Sequence, residues 1–410
     1  MADGQCSDAL GSWEGYQLGT VERKEVDDSR PRSEVWIELL PRRDQLICSG
    51  CGKATAAVHD VSERWVRDLS ILGADTWLMV HRVRVLCPCC GPKLAEVSWL
   101  EPYARVTVRL AESVARMCRV LPIKHVAEYF ALSWDTVKAI DKAYLTRTLG
   151  PVDLSGVEVI GMDEFAIQRG HRYATLVVEI KSKRVLWIGR GRSREDVRPF
   201  FELLGQEGCQ RLKAVVMDMN TAHDLEVQAH CPQAKVVYDL FHVVAKYGRE
   251  VIDRVRVDEA NRLRDNKHAR KIIKGARWLL LKNPENLTRE KDQVRLKELL
   301  DANRALLRCY LLKDDLKALW EYRSEAHARR FWLGWYTRAV RSRVTPLKRF
   351  AQRLKGYLPG ILAHCRWPLH TSLLEGINNK IKVIKRMAYG YRDDDYFFLK
   401  IRAAFPANTG

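Results

Sequence analysis

Three carboxylates stand where this chain could act on a phosphate. Asp163 closes a β-branched run in Gly161-Met162-Asp163-Glu164-Phe165, which predicts it at the end of a buried strand. Asp218 ends a second apolar run, Ala214-Val215-Val216-Met217-Asp218, and Glu375 lies far downstream on an amphipathic stretch. Carboxylates on two strands and a helix can hold two divalent cations about 3.5–4 Å apart. One activates the attacking oxygen and the other stabilises the leaving oxygen in phosphoryl transfer. In this scheme Asp163 bridges, and Asp218 and Glu375 each complete one side. Hard oxygen ligands favour Mg2+, with Mn2+ as a substitute. Glu164 follows Asp163 on the strand and is expected on the opposite face. Asp239 and His242, in Tyr238-Asp239-Leu240-Phe241-His242, sit at the next strand end as rivals to Asp218 and are given a supporting role.

A second constellation is built of sulfur. Of eleven cysteines, five fall in two knots, Cys48-Ser49-Gly50-Cys51-Gly52 and Cys87-Pro88-Cys89-Cys90-Gly91. Each has the form C-x-x-C-G, a tight turn that aims two thiolates at one point while Gly relieves the backbone. Cys48, Cys51, Cys87 and Cys90 then offer the tetrahedral sulfur set of a structural zinc ion (Zn2+), with Cys89 as the alternative to Cys90. The remaining six (Cys6, Cys118, Cys209, Cys231, Cys309, Cys365) are scattered as reduced core thiols are. Thr76 to Val80 and Val83 to Leu86 read as strands of a zinc ribbon, whereas His59 and His81 read as ordinary polar residues. Without metal so small a core would struggle to fold, so this zinc is scaffolding rather than catalytic.

These sites need elements to hold them, and the chain divides accordingly. Its formal charge of +19 and pI near 9.5 favour a polyanionic partner, most simply nucleic acid. No secretory signal opens the chain and no apolar run approaches the roughly 18 residues that span a bilayer. The expectation is a cytoplasmic, nucleoid-associated bacterial protein with no membrane partner. Residues 1–35 mix charges, Gly and Ser without periodicity and read as a loose arm, followed by the zinc ribbon over 36–100. Residues 101–150 carry a helix-turn-helix pattern, with Pro122 at a helix start and Ser133 as the N-cap of the next helix. Val126, Ala127, Phe130, Leu132, Val137 and Ile140 would fill its core. Trp134, Thr136, Lys138 and Lys142 are its candidate base or phosphate contacts; a plain three-helix packing unit is the alternative.

After Gly150-Pro151 the pattern changes to strands. Three come in quick succession and two more are separated by helices, over 151–248, which is the order of an RNase H-like fold. That fold sets the ends of the first and fourth strands side by side, so Asp163 and Asp218 would meet. Residues 249–361 are helical and very basic. There Arg329, Arg330, Arg338, Arg341 and Arg343 interleave with Trp332 and Trp335, as suits phosphate contacts and stacking on unpaired bases. Residues 362–410 return to the core with a helix whose stripe is Leu374, Ile377, Ile381 and Ile384. Glu375, Asn379, Lys382 and Arg386 lie on a neighbouring face, one acid among amides and cations. The fold class is therefore multidomain α+β: a zinc ribbon, a helix-turn-helix, and an RNase H-like α/β catalytic core interrupted by an all-helical insertion.

The order of these parts, with G-x-D-E-F, V-x-D-M, D-x-F-H and Glu375-Gly376-Ile377-Asn378-Asn379-Lys380-Ile381-Lys382 followed by Arg386, Ala388, Gly390 and Tyr391, resembles the DDE transposases of the ISL-three insertion-sequence family over roughly residues 41 to 404. The second cysteine knot is tighter than the family's. The resemblance implies that Asp163, Asp218 and Glu375 carry the DDE roles and that Asn379, Lys382 and Arg386 grip DNA. Asp239 and His242 would support the site or orient DNA. It further implies hydrolysis at the element's ends and attack of the freed 3′-hydroxyls on target DNA. Double-stranded DNA, as terminal inverted repeats and target, would be the partner, bound by a homodimer or larger assembly. Two other readings are a zinc-ribbon regulator without catalysis and an RNase H-like nuclease that cuts without joining.

Overall fold

The computed structural model describes residues 13–26, 32–168, 170, 172–282, 284–369 and 372–406. The chain forms two compact units, Met1–Gly150 and Pro151–Gly410. The division falls at the Gly150-Pro151 break where the sequence pattern changes.

In the first unit a five-stranded sheet runs β1 (Tyr16–Lys24), β2 (Glu34–Pro41), β4 (Ala74–Cys87), β3 (Val58–Ile71), with β5 (Gly91–Leu94) on the far end of β4. β3 and β4 make a long antiparallel hairpin, closed at Leu72-Gly73 with both residues at positive φ, 49° and 77°. Such a turn matches the twist of the strands it joins. The two short strands expected at 76–80 and 83–86 are thus one strand, and the expected loose arm is corrected at 16–24, where β1 pairs with β2. Charged Tyr-Gln-Leu-Gly-Thr-Val-Glu-Arg-Lys is an edge strand, whose polar sequence guards its open side and hides it from pattern reading. Trp13, Tyr16, Ile37, Leu39, Val66, Leu78, Val80 and Leu100 form the core of this sheet.

Helices α1 (Val108–Met117), α2 (Ile123–Phe130) and α3 (Trp134–Leu149) complete the unit around Leu110, Val114, Cys118, Val126, Ala127 and Val137, with Phe130, Leu132 and Ile140 partly buried against them. Ser133 caps α3 by accepting from the Thr136 N–H at 3.1 Å. Buried Asp68 ties sheet to helices, accepting from Thr107 Oγ1 at 2.6 Å, Arg109 Nε at 2.7 Å and Trp13 Nε1 at 3.0 Å. Ribbon and helices therefore share one compact unit.

The second unit is built on the sheet β10-β9-β6-β7-β8: β6 (Val159–Gln168), β7 (Arg172–Glu179), β8 (Val185–Arg190), β9 (Ala214–Met217) and β10 (Lys235–Tyr238). β6, β7 and β8 pair antiparallel, and β9 and β10 run parallel to β6. Between β8 and β9 lies α4 (Arg194–Arg211), kinked at Gly205 with φ 70°; between β9 and β10 lies α5 (Thr221–His230). α6 (Leu240–Tyr247) follows β10, and a helical stretch then carries α7 (Asp253–Arg262), α8 (Lys267–Gly275), α9 (Arg277–Leu281), α10 (Glu290–Ala302), α11 (Arg304–Ala318), α12 (Glu325–Val340), α13 (Thr345–Leu354) and α14 (Leu358–Leu362).

One face of the sheet and this helical stretch share a continuous core that reaches from Met162 and Val215 to Trp332 and Trp335. Both tryptophans are buried, with Trp335 Nε1 donating to the Leu312 carbonyl at 2.8 Å. The expected role of these two rings in stacking on bases is corrected: they are core. The opposite face of the sheet, with Phe165, Ala174, Leu176 and Val178, packs on Leu374, Ile377 and Ile381 of α15 (Ser372–Met387) and on Phe397 and Ile401 of α16 (Asp394–Ala404).

Candidate functional site

Strand register assembles the carboxylates. Met162 pairs with Met217, and Met217 pairs with Tyr238. Asp163, Asp218 and Asp239 are therefore the next residues on three adjacent parallel strands. Asp163 and Asp218 line one cavity of about 580 Å³, with Glu164, Tyr173, Arg192 and Asn220.

Each acid is held differently. The Asn378 amide donates to Asp163 Oδ2 at 2.6 Å, and the Glu164 N–H donates to Oδ1 at 2.7 Å. Burial pushes the Asp163 carboxyl up to about 6; Glu164 adds to the rise, while the Glu164 N–H, the Asn378 amide and Lys382 oppose it. Asp218 is met by the His242 ring through Nδ1. Burial, helped by Arg249, lowers the His242 pKa, which favours the neutral ring. Asp239 is buried and caps α6, accepting from the Phe241 N–H at 3.2 Å.

Glu375 is exposed in the first turn of α15 and lines a different cleft, together with Asp239. Asn378, which reaches Asp163, lies three residues further along the same helix face. Gly161 eases this approach: a Cβ there would come within 2.9 Å of Ile180 Cδ1 and 3.0 Å of Leu374 Cδ2, so a larger residue would press on both side chains. The expected meeting of all three acids is not reached at metal-ligand spacing. Among the described residues, Cys48, Cys51, Cys87 and Cys90 are the only set of three or more Cys, His, Asp or Glu with ligand atoms all within 4.8 Å of one another.

Glu164 alternates with Asp163 along β6 as expected, since Ile160 and Met162 face one core and Phe165 and Ile167 the other. It still lines the cavity of Asp163. β9 ends level with Met162, which leaves the side of β6 open beyond it. Glu164 uses that opening to pair with the Asn220 amide and, at 3.5 Å, with Arg192. The signal available in the sequence was Glu164 itself, directly beside Asp163.

The cysteine centre matches expectation closely. Gly52 and Gly91, the fifth residues of the two C-x-x-C-G turns, have φ of 68° and 66°, where an L side chain would be strained. The second turn closes the β4–β5 hairpin, with Cys87 opposite Gly91. Cys89 is exposed, its sulfur 3.8 Å from Lys53 Nζ, so Cys90 supplies the fourth sulfur. N–H groups of Cys89 and Cys90 hold the Cys87 thiol down to about 6, and the sulfur of Cys51 pushes Cys90 up to about 12. Four sulfurs on two rigid turns form a closed, structural zinc centre.

The candidate DNA contacts fall in two places. On α3, Trp134 is 49% exposed with Lys138 Nζ 5.7 Å from its ring, while Lys142 is half-buried. The Thr136 hydroxyl lies 2.7 Å from Ser133 Oγ and so belongs to the helix cap. On α15, Asn379, Lys382 and Arg386 are exposed, with Lys382 Nζ donating to Asn379 Oδ1 at 3.2 Å. Lys382 and Arg386 line a cavity of about 630 Å³ with Glu164 and Asn378.

No helix among the described residues is long and apolar enough to cross a membrane. Residues 160–401 match the family model of the ISL3 DDE transposases, described as a transposase. Residues 95–145 match the helix-turn-helix domain of transposase family ISL3, and residues 44–90 match the zinc-finger of transposase IS204/IS1001/IS1096/IS1165. The chain is 54% identical over 410 residues to the transposase for insertion sequence element IS1001 of Bordetella parapertussis, covering 100% of both chains. It is 29% identical over 394 residues to the transposase for insertion sequence element IS1557 of Mycobacterium tuberculosis, covering 90% of this chain and 88% of the relative. With three family domains in order and a relative matched end to end, this chain belongs to the ISL3 family of DDE transposases.

Proposed function

We propose that Asp163, Asp218 and Glu375 are the catalytic carboxylates of this transposase, set in an RNase H-like core whose two parts, 151–248 and 362–410, flank an all-helical insertion at 249–361. The observation that carries this reading is the register that brings Asp163 and Asp218 to the ends of adjacent parallel strands in one cavity. The donors there are carboxylate and amide oxygens, the set that hard divalent cations take. Mg2+ or Mn2+ held by these three acids would supply charge neutralisation at the phosphate and lower the barrier to attack by an oxygen nucleophile.

The protein's own residues do the positioning. Asn378 fixes the Asp163 carboxylate, and the His242 ring orients Asp218. Asp239 holds the start of α6, the helix that carries His242. Lys382, Arg386 and Asn379 border the site as phosphate contacts. Trp134, Lys138 and Lys142 on α3 read the terminal inverted repeats, with Thr136 fixing the turn that presents them. Cleavage at each element end frees a 3′-hydroxyl, which attacks target DNA without a covalent protein intermediate. Two ends call for at least a dimer.

The test is nicking and joining of duplexes carrying the element's own ends, for wild type beside Asp163→Ala. Metal-dependent nicks and joined products that vanish in the variant, with end binding retained, are expected. Equal cutting by the variant would remove Asp163 from the mechanism.

A further inference from the structure

We propose that Arg192 grips the phosphodiester next to the one being cut, on the same DNA strand, a reading that rests on the carboxylate assignment above. The cavity that holds Asp163 and Asp218 also has Glu164 on its wall, so three acids meet a polyanionic substrate there. Among the described residues lining that cavity, Arg192 is the positively charged one. Its neighbours in sequence are spent elsewhere: Arg190 closes on Asp394 at 3.0 Å, and Arg194 and Arg198 close on Glu226 at 2.9 and 2.8 Å. Arg192 meets Glu164 only at 3.5 Å and keeps 54% of its side chain exposed.

The turn that carries Arg192 is fixed on both sides. The Gly191 N–H donates to the Tyr173 carbonyl at 2.8 Å, and the Gly191 carbonyl accepts from Thr175 Oγ1 at 2.9 Å. Asp196 accepts from the N–H groups of Arg192 at 3.0 Å and Ser193 at 2.9 Å, and Ser193 caps α4 in return. Gly191 has φ 86°, and a Cβ there would run into the Asp196 carboxylate, so the turn requires glycine. With its backbone committed, the turn presents the guanidinium. That group lies 4.3 Å from the centre of the Tyr173 ring, a platform that holds the fork without using its N–H donors.

A guanidinium carries five N–H donors in a planar fork that matches two phosphate oxygens at once. The bond to Glu164 runs through Nη1. Glu164 is also held by the Asn220 amide, so it keeps a partner when the guanidinium turns to a phosphate. The place of that phosphate follows from the strand. Arg192 pairs with Glu164, one residue along β6 from Asp163, whereas Asp163 is engaged by Asn378 from α15. The reacting phosphate belongs over Asp163 and Asp218, so the guanidinium reaches its neighbour.

The test uses the full chain and duplexes carrying the element end, with one methylphosphonate at a time replacing a phosphate beside the cut on the cleaved strand. Arg192→Ala should slow nicking of the unmodified duplex by roughly 10- to 150-fold. Arg192→Lys should recover only part of that loss, because an ammonium keeps the charge and lacks the fork. At one flanking position the uncharged linkage should slow the wild type by a similar factor and cost Arg192→Ala nothing further. A residue that merely balanced Glu164 would show the same loss on every duplex, whichever phosphate is neutralised. Because the side chain is half exposed, the melting temperature should not move; if Arg192→Ala lowers it, the same comparison is read with Arg192→Lys. Nicking by Arg192→Ala at the wild-type rate, or a loss equal at every methylphosphonate position, overturns the proposal and leaves the carboxylate reading intact. Nicking that survives Asp163→Ala overturns that reading and this one together.

Discussion

Cys48 and Cys51 share one turn and Cys87 and Cys90 another, and their sulfurs already converge within 4.8 Å. Asp163, Asp218 and Glu375 come instead from two parallel strands and a helix, and only the first two share a cavity. The cysteine centre is set by local turn chemistry, with Gly52 and Gly91 supplying the left-handed backbone. The carboxylate site depends on long-range register and on how closely α15 settles against β6. Disturbing the first should therefore unmake a fold, and disturbing the second should unmake a reaction.

The largest expected effect separates the two. Cys48→Ser should lose bound zinc and the cooperative unfolding of residues 13–150, since structural zinc contributes about 10–16 kcal/mol of apparent binding energy in small zinc domains. Cys89→Ser should keep full zinc occupancy. Equal zinc loss in both variants, read by metal analysis of the purified proteins, would place the fourth sulfur at Cys89 and break the contrast.

A smaller effect concerns the frame around the carboxylates. Glu226 is buried, yet hydrogen bonds from Arg198 at 2.8 Å, Arg194 at 2.9 Å and His230 at 3.2 Å outweigh that burial and hold its carboxyl down to about 2. An unfolded Glu titrates near 4.3. Its stabilising contribution is thus complete above about pH 4.5 and is lost as pH falls through the folded value near 2. Glu226→Gln should cost about 3 kcal/mol at neutral pH and flatten the acid limb of the stability curve. An unchanged acid limb in denaturant titrations would show that the cluster contributes nothing.

Smallest is Gly161→Ala, where the new methyl group meets Ile180 and Leu374. Overpacking of this kind costs about 1–3 kcal/mol. Because the strain falls between β6 and the helix that carries Asn378 and Glu375, cleavage should drop more than melting temperature does. Loss of both in proportion would mean that α15 packs for stability alone.

What could be read from the sequence follows the same division. The C-x-x-C-G pairs and the apolar runs of β6, β7 and β9 are local signals, and they pointed to the four cysteines whose sulfurs converge and to the two acids that share a cavity. β1 escaped because an edge strand is charged and becomes visible only through its pairing with β2. Trp332 and Trp335 were misread because arginines interleave with them in sequence, whereas burial is decided by packing against α11, out of reach of local pattern.

The central claim is that Asp163 holds a hard divalent cation at the scissile phosphate, and exchanging its oxygen ligand for sulfur tests this most directly. Asp163→Cys should bind element ends as wild type does, fail to nick them in Mg2+, and recover part of its activity when a thiophilic ion such as Mn2+ or Cd2+ is supplied. Nicking in Mg2+ at the wild-type rate would contradict the account.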